Sequence, residues 1–310
     1  SRHALLFASG MAAIQTACTE LLAPGDTVAV QRGGYGGTMA YLTTELAKFG
    51  VRVHPFDAQA KPAFPKGTKL VWMESITNPL LRVADLPRWA KAAHAAGARL
   101  AVDATFASPL VQRPLRLGAD LVMHSATKWL GGHSDVTAGL LCTDDAKLRE
   151  GLYLRRRNMG PTPDPHAAYL VGRGAKTIAL RMERHVANAQ ALAEACEGMK
   201  AVKAVHYPGL ASHPDHAVAK RVLASGGGML TLDLGTLKAA QAFRRQVKII
   251  LPASSLGGVE SLVSLPVETS HSYASPAERK ALGIGDGLVR ISVGIEDLDD
   301  LVADVKKGLA

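Results

Sequence analysis

The stretch "RLAVDATFASPLVQRPLRLGADLVMHSATKWLGGHSD", residues 99 to 135, twice runs from apolar residues into a cluster of polar ones. "RLAVDAT" (99–105) and "DLVMHSA" (120–126) have the length and β-branched or apolar content of buried strands. Each ends on residues that carry chemistry: Asp103 and Thr105 in the first, Ser125, Thr127 and Lys128 at and after the second. Buried strands with polar loops behind them are the pattern of an open α/β sheet, whose functional groups gather beyond the carboxyl ends of its strands.

The same alternation extends outward. "TVAVQ" (27–31), "VRVHPF" (51–56) and "KLVWMES" (69–75) read as further strands, and 10–22, 36–49 and 85–96 as amphipathic helices, the last two stopped by Gly50 and Gly97. From Pro165 to about Gly198 the spacing of apolar residues turns helical, and "GGMLTLDLG" (227–235), "LVRISVG" (288–294) and a last helix from about Glu296 complete the chain. These readings predict an α/β protein: a large domain over 1–180 with a mostly parallel sheet, and a smaller C-terminal α/β domain over 181–310, joined by one long helix.

Composition bounds the rest. The 310 residues are 47% hydrophobic, enough for one large core and a smaller one. No run of about 18 apolar residues predicts a membrane span. Net charge is +9, but the basic residues are dispersed apart from Arg155-Arg156-Arg157, and aromatics are only 5%. A nucleic-acid partner is therefore not expected. The three cysteines, Cys18, Cys142 and Cys196, form no CxxC pair and read as reduced thiols of a cytoplasmic protein. The first residues carry no signal-peptide layout. His124 and His133 lack partners at metal-ligand spacing, and no metal site is expected. "GRGAKT" (172–177) lacks the glycine before its lysine that a nucleotide loop needs.

Five loops then hold the candidate chemistry: Ser9-Gly10-Met11, Tyr35, Glu74 to Asn78, Asp103 to Thr105, and Ser125 to Lys128. Ser9-Gly10-Met11 stands at a strand-to-helix junction whose free N–H groups suit a phosphate, although Ser9 taken alone reads more readily as a plain N-cap. Asp103 is a strand-end acid in apolar surroundings, suited to a protonated ring nitrogen, or to an ordinary ion pair or a turn Asx cap. Tyr35 offers an aromatic face. Lys128, in a constricted loop, suits an amine nucleophile that forms a Schiff base, against the alternative of a loop lysine on the surface. A phosphate cradle, an acid, an aromatic ring and a strand-end lysine together meet the needs of pyridoxal phosphate.

On these residues the chain resembles the Cys/Met-metabolism (trans-sulfuration) family of fold-type I pyridoxal-phosphate enzymes, which have a transferase-like fold. The resemblance runs from "FASGMAAI" through "RGGYGGT", "MESITNPLLRVADL", the block around "HSATKWLGGHSD", "YPGLASHP" and "SLGGVESLVSLP" to "LVRISVGIEDLDDLVADV". It implies that Lys128 carries the cofactor and shuttles protons, and that Asp103 pairs with the pyridine nitrogen. Ser9, Gly10, Met11, Ser125 and Thr127 would hold the phosphate, with Tyr35 stacked on the ring and assisting the leaving sulfur, and Thr105 on the other face. Asn78 would touch the ring hydroxyl and the substrate. Arg290 would clamp the substrate carboxylate, with Ser254 and Ser255 beside it.

The activity implied is that of a carbon–sulfur lyase on a small sulfur amino acid, foremost α,γ-elimination of cystathionine, with cystathionine γ-synthase chemistry as the alternative. From another class, a silent scaffold or basic binding module with a retained fold is the competing reading. The assembly implied is a homotetramer, a dimer of dimers with shared active sites. The family's N-terminal arm, whose Tyr and Arg reach a neighbour's phosphate, is expected to be missing. "YGGT" has Gly37 where methionine γ-lyases usually have Cys. Ser254 replaces the Glu common before the serine of "SLGG" in cystathionine γ-lyases and γ-synthases.

Overall fold

Apolar runs become strands and the periodic stretches between them become helices, in a computed structural model that describes all 310 residues. The chain divides into two units: Ser1–Ile76, Ala84–Gly131 and Asp135–Ala175 make the first, Thr77–Val83, Gly132–Ser134 and Lys176–Ala310 the second.

The first unit contains β1 (His3–Phe7), α1 (Gly10–Leu21), β2 (Thr27–Gln31), α2 (Gly36–Ala40), β3 (Arg52–Phe56), β4 (Thr68–Glu74), α3 (Leu86–Ala95), β5 (Arg99–Asp103), α4 (Ser108–Val111), β6 (Leu121–Ser125), β7 (Gly139–Thr143), α5 (Ala146–Met159) and α6 (Pro165–Ala175). Its seven strands run in the order β1-β7-β6-β5-β4-β2-β3. Only β7 is antiparallel to its neighbours. Successive residues of a strand face opposite sides, and β4 shows the consequence. Leu70 and Trp72 pack with Phe7, Ile14 and Leu152 on one side of the sheet. Val71 and Met73 pack with Trp89, Leu100 and Val102 on the other.

The expected helix over 36–49 forms with a change of pitch. α2 passes into a π turn at Tyr41–Glu45 and a 3-10 turn at Leu46–Phe49. Thr43 and Thr44 donate their hydroxyls to the carbonyls of Met39 and Ala40, competing with the regular ladder, which accounts for the irregularity.

The second unit holds α7 (Ile178–Cys196), β8 (Ala204–His206), α8 (His216–Val222), β9 (Met229–Asp233), α9 (Leu237–Gln246), β10 (Leu251–Pro252), β11 (Leu262–Ser264), α10 (Pro276–Ala281), β12 (Leu288–Ser292) and α11 (Leu298–Leu309). The sheet order is β10-β11-β12-β9-β8, antiparallel except for β10 with β11. Its core gathers Leu192, Tyr207, Leu230, Phe243, Ile291 and Leu301. The single helix expected from Pro165 onward is corrected to two, α6 and α7, separated at Lys176 and Thr177. Asp297 caps the last helix by accepting from the amides of Asp299 and Asp300.

No helix is long and apolar enough to cross a membrane.

Candidate active site

Gln31, Glu74, Asp103 and Ser125 are the last residues of four parallel strands, β2, β4, β5 and β6, so their side chains share the carboxyl edge of the first sheet. That edge is where an open α/β sheet places its ligands.

Ser9 begins the site. Its hydroxyl accepts the Ala12 N–H at 3.0 Å, which caps α1. The Ala13 N–H is taken by the Ser9 carbonyl. The amides of Gly10 and Met11 have no intrahelical carbonyl to meet and carry the positive end of the helix dipole. A Cβ on Gly10 would lie 3.0 Å from Met123 Cε and 3.3 Å from Ser125 Oγ. The missing side chain thus brings the helix start against the end of β6 and leaves a cradle lined by N–H groups and a serine hydroxyl, suited to a dianionic phosphate.

Asp103 is 8% exposed, and burial pushes its carboxyl pKa upward, against the pull of two bonds from Thr105. Thr105 donates its hydroxyl at 2.6 Å and its amide at 2.9 Å to the same Asp103 oxygen. The same hydroxyl accepts the Ser125 N–H at 2.8 Å. Thr105, expected on the face of the ring, is thereby the tie between β5 and β6 that orients the acid. His124 is buried beside them, and its imidazole is pushed down to about 4 by loss of solvent, so it is neutral at physiological pH.

Lys128 follows in a turn whose amide donates to the Ser125 carbonyl at 3.1 Å. The loop is anchored on both sides. Trp129, 1% exposed, donates its indole N–H to the Phe106 carbonyl at 3.1 Å. Thr127 exchanges bonds with Ala138, accepting its N–H at 3.0 Å and donating to its carbonyl at 3.2 Å. A Cβ on Gly174 of α6 would fall 2.1 Å from the Gly131 carbonyl, so the glycines let helix and lysine loop touch backbone to backbone. A half-buried amine on a braced loop that follows the end of β6 is equipped for covalent amine chemistry.

Tyr35 stands at the start of α2, 53% exposed. Its N–H is held by Glu74 Oε1 at 2.5 Å, and the Glu74 N–H is held in turn by Gln31 Oε1 at 2.8 Å. A Cβ on Gly37 would come within 2.5 Å of the Tyr35 ring and 3.0 Å of Met11 Sδ. Sequence reading gave Glu74 no role and passed over Gln31. Their common position at the ends of two apolar runs was the available signal.

The second unit holds the remaining candidates. Arg290, in the middle of β12 and 6% exposed, has its guanidinium pKa pushed down to about 10 by burial. Nη1 donates to Asn78 Oδ1 at 3.1 Å and Nη2 to the Ser255 carbonyl at 2.9 Å. Ser255 meets Arg290 through its backbone, at a left-handed φ of 85°, and Ser254 is exposed. The segment bearing Asn78 is fastened by a bond from Thr231 Oγ1 to the Pro79 carbonyl at 2.7 Å. A two-pronged ion pair from Arg82 to Asp215, at 2.6 and 2.8 Å, secures its other end. No cluster of three or more His, Cys, Asp or Glu side chains is arranged to hold a metal.

The family model described as "Cys/Met metabolism PLP-dependent enzyme" matches residues 1–310. The chain is 44% identical over 314 residues to a cystathionine gamma-lyase of Dictyostelium discoideum, covering 100% of this chain and 81% of the relative. It is 44% identical over 311 residues to an L-methionine gamma-lyase of Pseudomonas putida, covering 98% and 78%. Among solved structures, a cystathionine gamma synthase from Xanthomonas oryzae pv. oryzae, in complex with aminoacrylate and cysteine, superposes with a TM-score of 0.94 at 39% identity. That match covers 99% of this chain and 80% of the other.

Proposed function

The chain belongs to the Cys/Met metabolism PLP-dependent enzyme family, and on that premise we propose that it cleaves cystathionine by α,γ-elimination. It is a pyridoxal-phosphate-dependent trans-sulfuration enzyme acting on sulfur amino acids. The chain is 44% identical both to a protein named cystathionine gamma-lyase and to one named L-methionine gamma-lyase, so the observation that carries the choice between them is the residue at position 37. Gly37 favours the first. The ring of Tyr35 fills the space in which the cysteine usual in methionine γ-lyases would stand.

The residues fit the cofactor. Gly10 leaves a cradle that a Cβ would fill, and Asp103 is a buried carboxyl whose ionised form calls for a cationic partner. In this reading Ser9, Gly10, Met11, Ser125 and Thr127 would hold the phosphate, Asp103 would pair with the protonated pyridine nitrogen, Lys128 would be the amine that carries the cofactor, and Tyr35 and Thr105 would stand beside the ring. When bound, pyridoxal phosphate supplies an electron sink for the substrate Cα. Asn78 and Arg290 orient the amino acid, the guanidinium fork matching the two oxygens of its carboxylate, with Ser254 and Ser255 at the edge of that site. Once the substrate amine has displaced it, the Lys128 amine would act as general base at Cα, hand that proton on, and act again as base at Cβ. The Tyr35 hydroxyl gives a proton to the departing sulfur, which leaves as a thiol. We place the protein in the cytoplasm, in keeping with three unpaired cysteines, and assign it the homotetrameric assembly that the family resemblance implies.

Incubation of the pyridoxal-phosphate-loaded protein with cystathionine, methionine, homocysteine, or O-succinylhomoserine plus cysteine tests the reading. Keto acid, ammonia and cysteine released from cystathionine support it. Cystathionine made from O-succinylhomoserine, without breakdown of cystathionine, assigns the synthase reaction instead, a reading favoured by the Xanthomonas structure.

A further inference from the structure

We propose that Glu74 is a positioning residue for Tyr35, its carboxylate holding the Tyr35 backbone so that the phenol ring stands in one place. This rests on the assignment of Tyr35 to the departing sulfur.

Tyr35 begins the helical run 36–49 without any side-chain cap of its own. With 53% of its surface exposed, its ring is not fixed by burial. The constraint comes from beneath. Glu74 reaches up from the end of β4 to accept the Tyr35 N–H, and Gln31, ending the adjacent parallel strand β2, orients Glu74 by accepting its N–H. Gln31 and Glu74 are 4% and 8% exposed, so the support itself is rigid. Gly34 makes the approach feasible, because a Cβ there would lie 3.3 Å from Glu74 Oε1 and 3.4 Å from the Gln31 carbonyl.

A carboxylate serves this purpose better than a neutral acceptor. Charge-assisted bonds to N–H groups are about twice as strong as neutral ones, and a negative charge beside the first turn of a helical run complements its dipole. The buried Thr38 hydroxyl has no hydrogen-bond partner to hold the turn in its stead. The ring lies over Gly37, where a Cβ would fall 2.5 Å from it, so a displaced backbone would carry it off that seat.

The test is a double-mutant cycle on the pyridoxal-phosphate-loaded full chain, with Glu74→Ala, Glu74→Gln, Tyr35→Ala and the combined variants. Two quantities are read: the circular dichroism of the bound cofactor's visible band, which senses the ring against it, and kcat and KM for cystathionine. Glu74→Ala should change the dichroism in the direction of Tyr35→Ala. It should also lower kcat by about tenfold or more, with KM moved less than about threefold. Glu74→Gln, which keeps an acceptor oxygen but not the charge, should fall between. In the Tyr35→Ala background, replacing Glu74 should change neither quantity further. Equal losses in both backgrounds, or wild-type dichroism in Glu74→Ala, overturn the proposal. Should Glu74→Ala fail to fold, the cycle with Glu74→Gln decides by the same criteria. A protein inactive on cystathionine would sink the substrate assignment, while the dichroism cycle still decides the role of Glu74.

Discussion

Thr105 places both of its donors on a single oxygen of Asp103, the hydroxyl at 2.6 Å and the amide at 2.9 Å. Because that hydroxyl also accepts from the Ser125 amide, one small side chain orients the buried acid and joins the ends of β5 and β6. Thr105→Val keeps the shape and removes the hydroxyl. The Ser125 N–H then loses its acceptor, at a cost of about 1–3 kcal/mol, and the Asp103 carboxyl loses a bond that favours its ionised form. A carboxyl with a raised pKa surrenders its charge earlier as pH falls. The acidic limb of the kcat profile is therefore expected to move to higher pH, and urea unfolding to shift to lower concentration.

Lys128→Ala is expected to abolish turnover while leaving the phosphate cradle at Gly10 and Ser125 intact. The variant should still bind pyridoxal phosphate in equilibrium dialysis. Borohydride treatment, which fixes the cofactor to the wild-type chain, should leave the variant's mass unchanged. A mass increase would place the covalent bond on another lysine.

At Gly37 the expected defect is geometric. Gly37→Ala puts a methyl group within 2.5 Å of the Tyr35 ring and 3.0 Å of Met11 Sδ, so the ring must move. A displacement of about 1 Å in a reacting group can cost on the order of 100-fold in rate. We expect kcat for cystathionine to fall by tens of fold with an unaltered melting temperature, since the ring is on the surface. A variant with wild-type kcat would separate ring position from turnover.

Arg290→Ala is expected to weaken amino-acid binding by on the order of 2–5 kcal/mol, as for a buried charge pair that loses one member. Arg290→Lys should recover part of this, because an ammonium supplies charge without the fork. Desolvation lowers the guanidinium pKa, so the buried charge favours an anionic partner. Competitive inhibition by a carboxylate-bearing amino acid should weaken in step with substrate binding in both variants.

The ends of β4, β5 and β6 were legible because an apolar run and a chemically loaded terminus occur together in the sequence. The Ser9 cap was legible for the same reason. The tether from Glu74 to Tyr35 was not. Its two residues are 39 positions apart, and its support from Gln31 depends on β2 lying beside β4 although β3 intervenes in the chain. The antiparallel course of β7 was also hidden, since a five-residue run such as "GLLCT" specifies a strand but not its direction. The break between α6 and α7 occurs at Lys176 and Thr177, with neither glycine nor proline at the break itself to announce it. Tertiary packing decides these features, and local propensity is silent about them.

Four buried histidines set the pH dependence of stability. Loss of solvent has brought His124, His185, His213 and His271 each down to about 4, from an ordinary value of 6.5. Between those two values the unfolded chain binds protons that the folded chain refuses, so stability falls as pH falls. Each histidine contributes on the order of 1–2 kcal/mol of loss between pH 7 and 5. Asp103, raised by burial, acts in the opposite sense, but it is one group against four. Asp215, held low by Arg82, adds its loss only below the ordinary carboxylate range. The free energy of urea unfolding at pH 7, 6 and 5 should decline at each step, and more gently in His271→Asn. A free energy independent of pH over this range would mean that these imidazoles take up protons in the folded protein as readily as in the unfolded one.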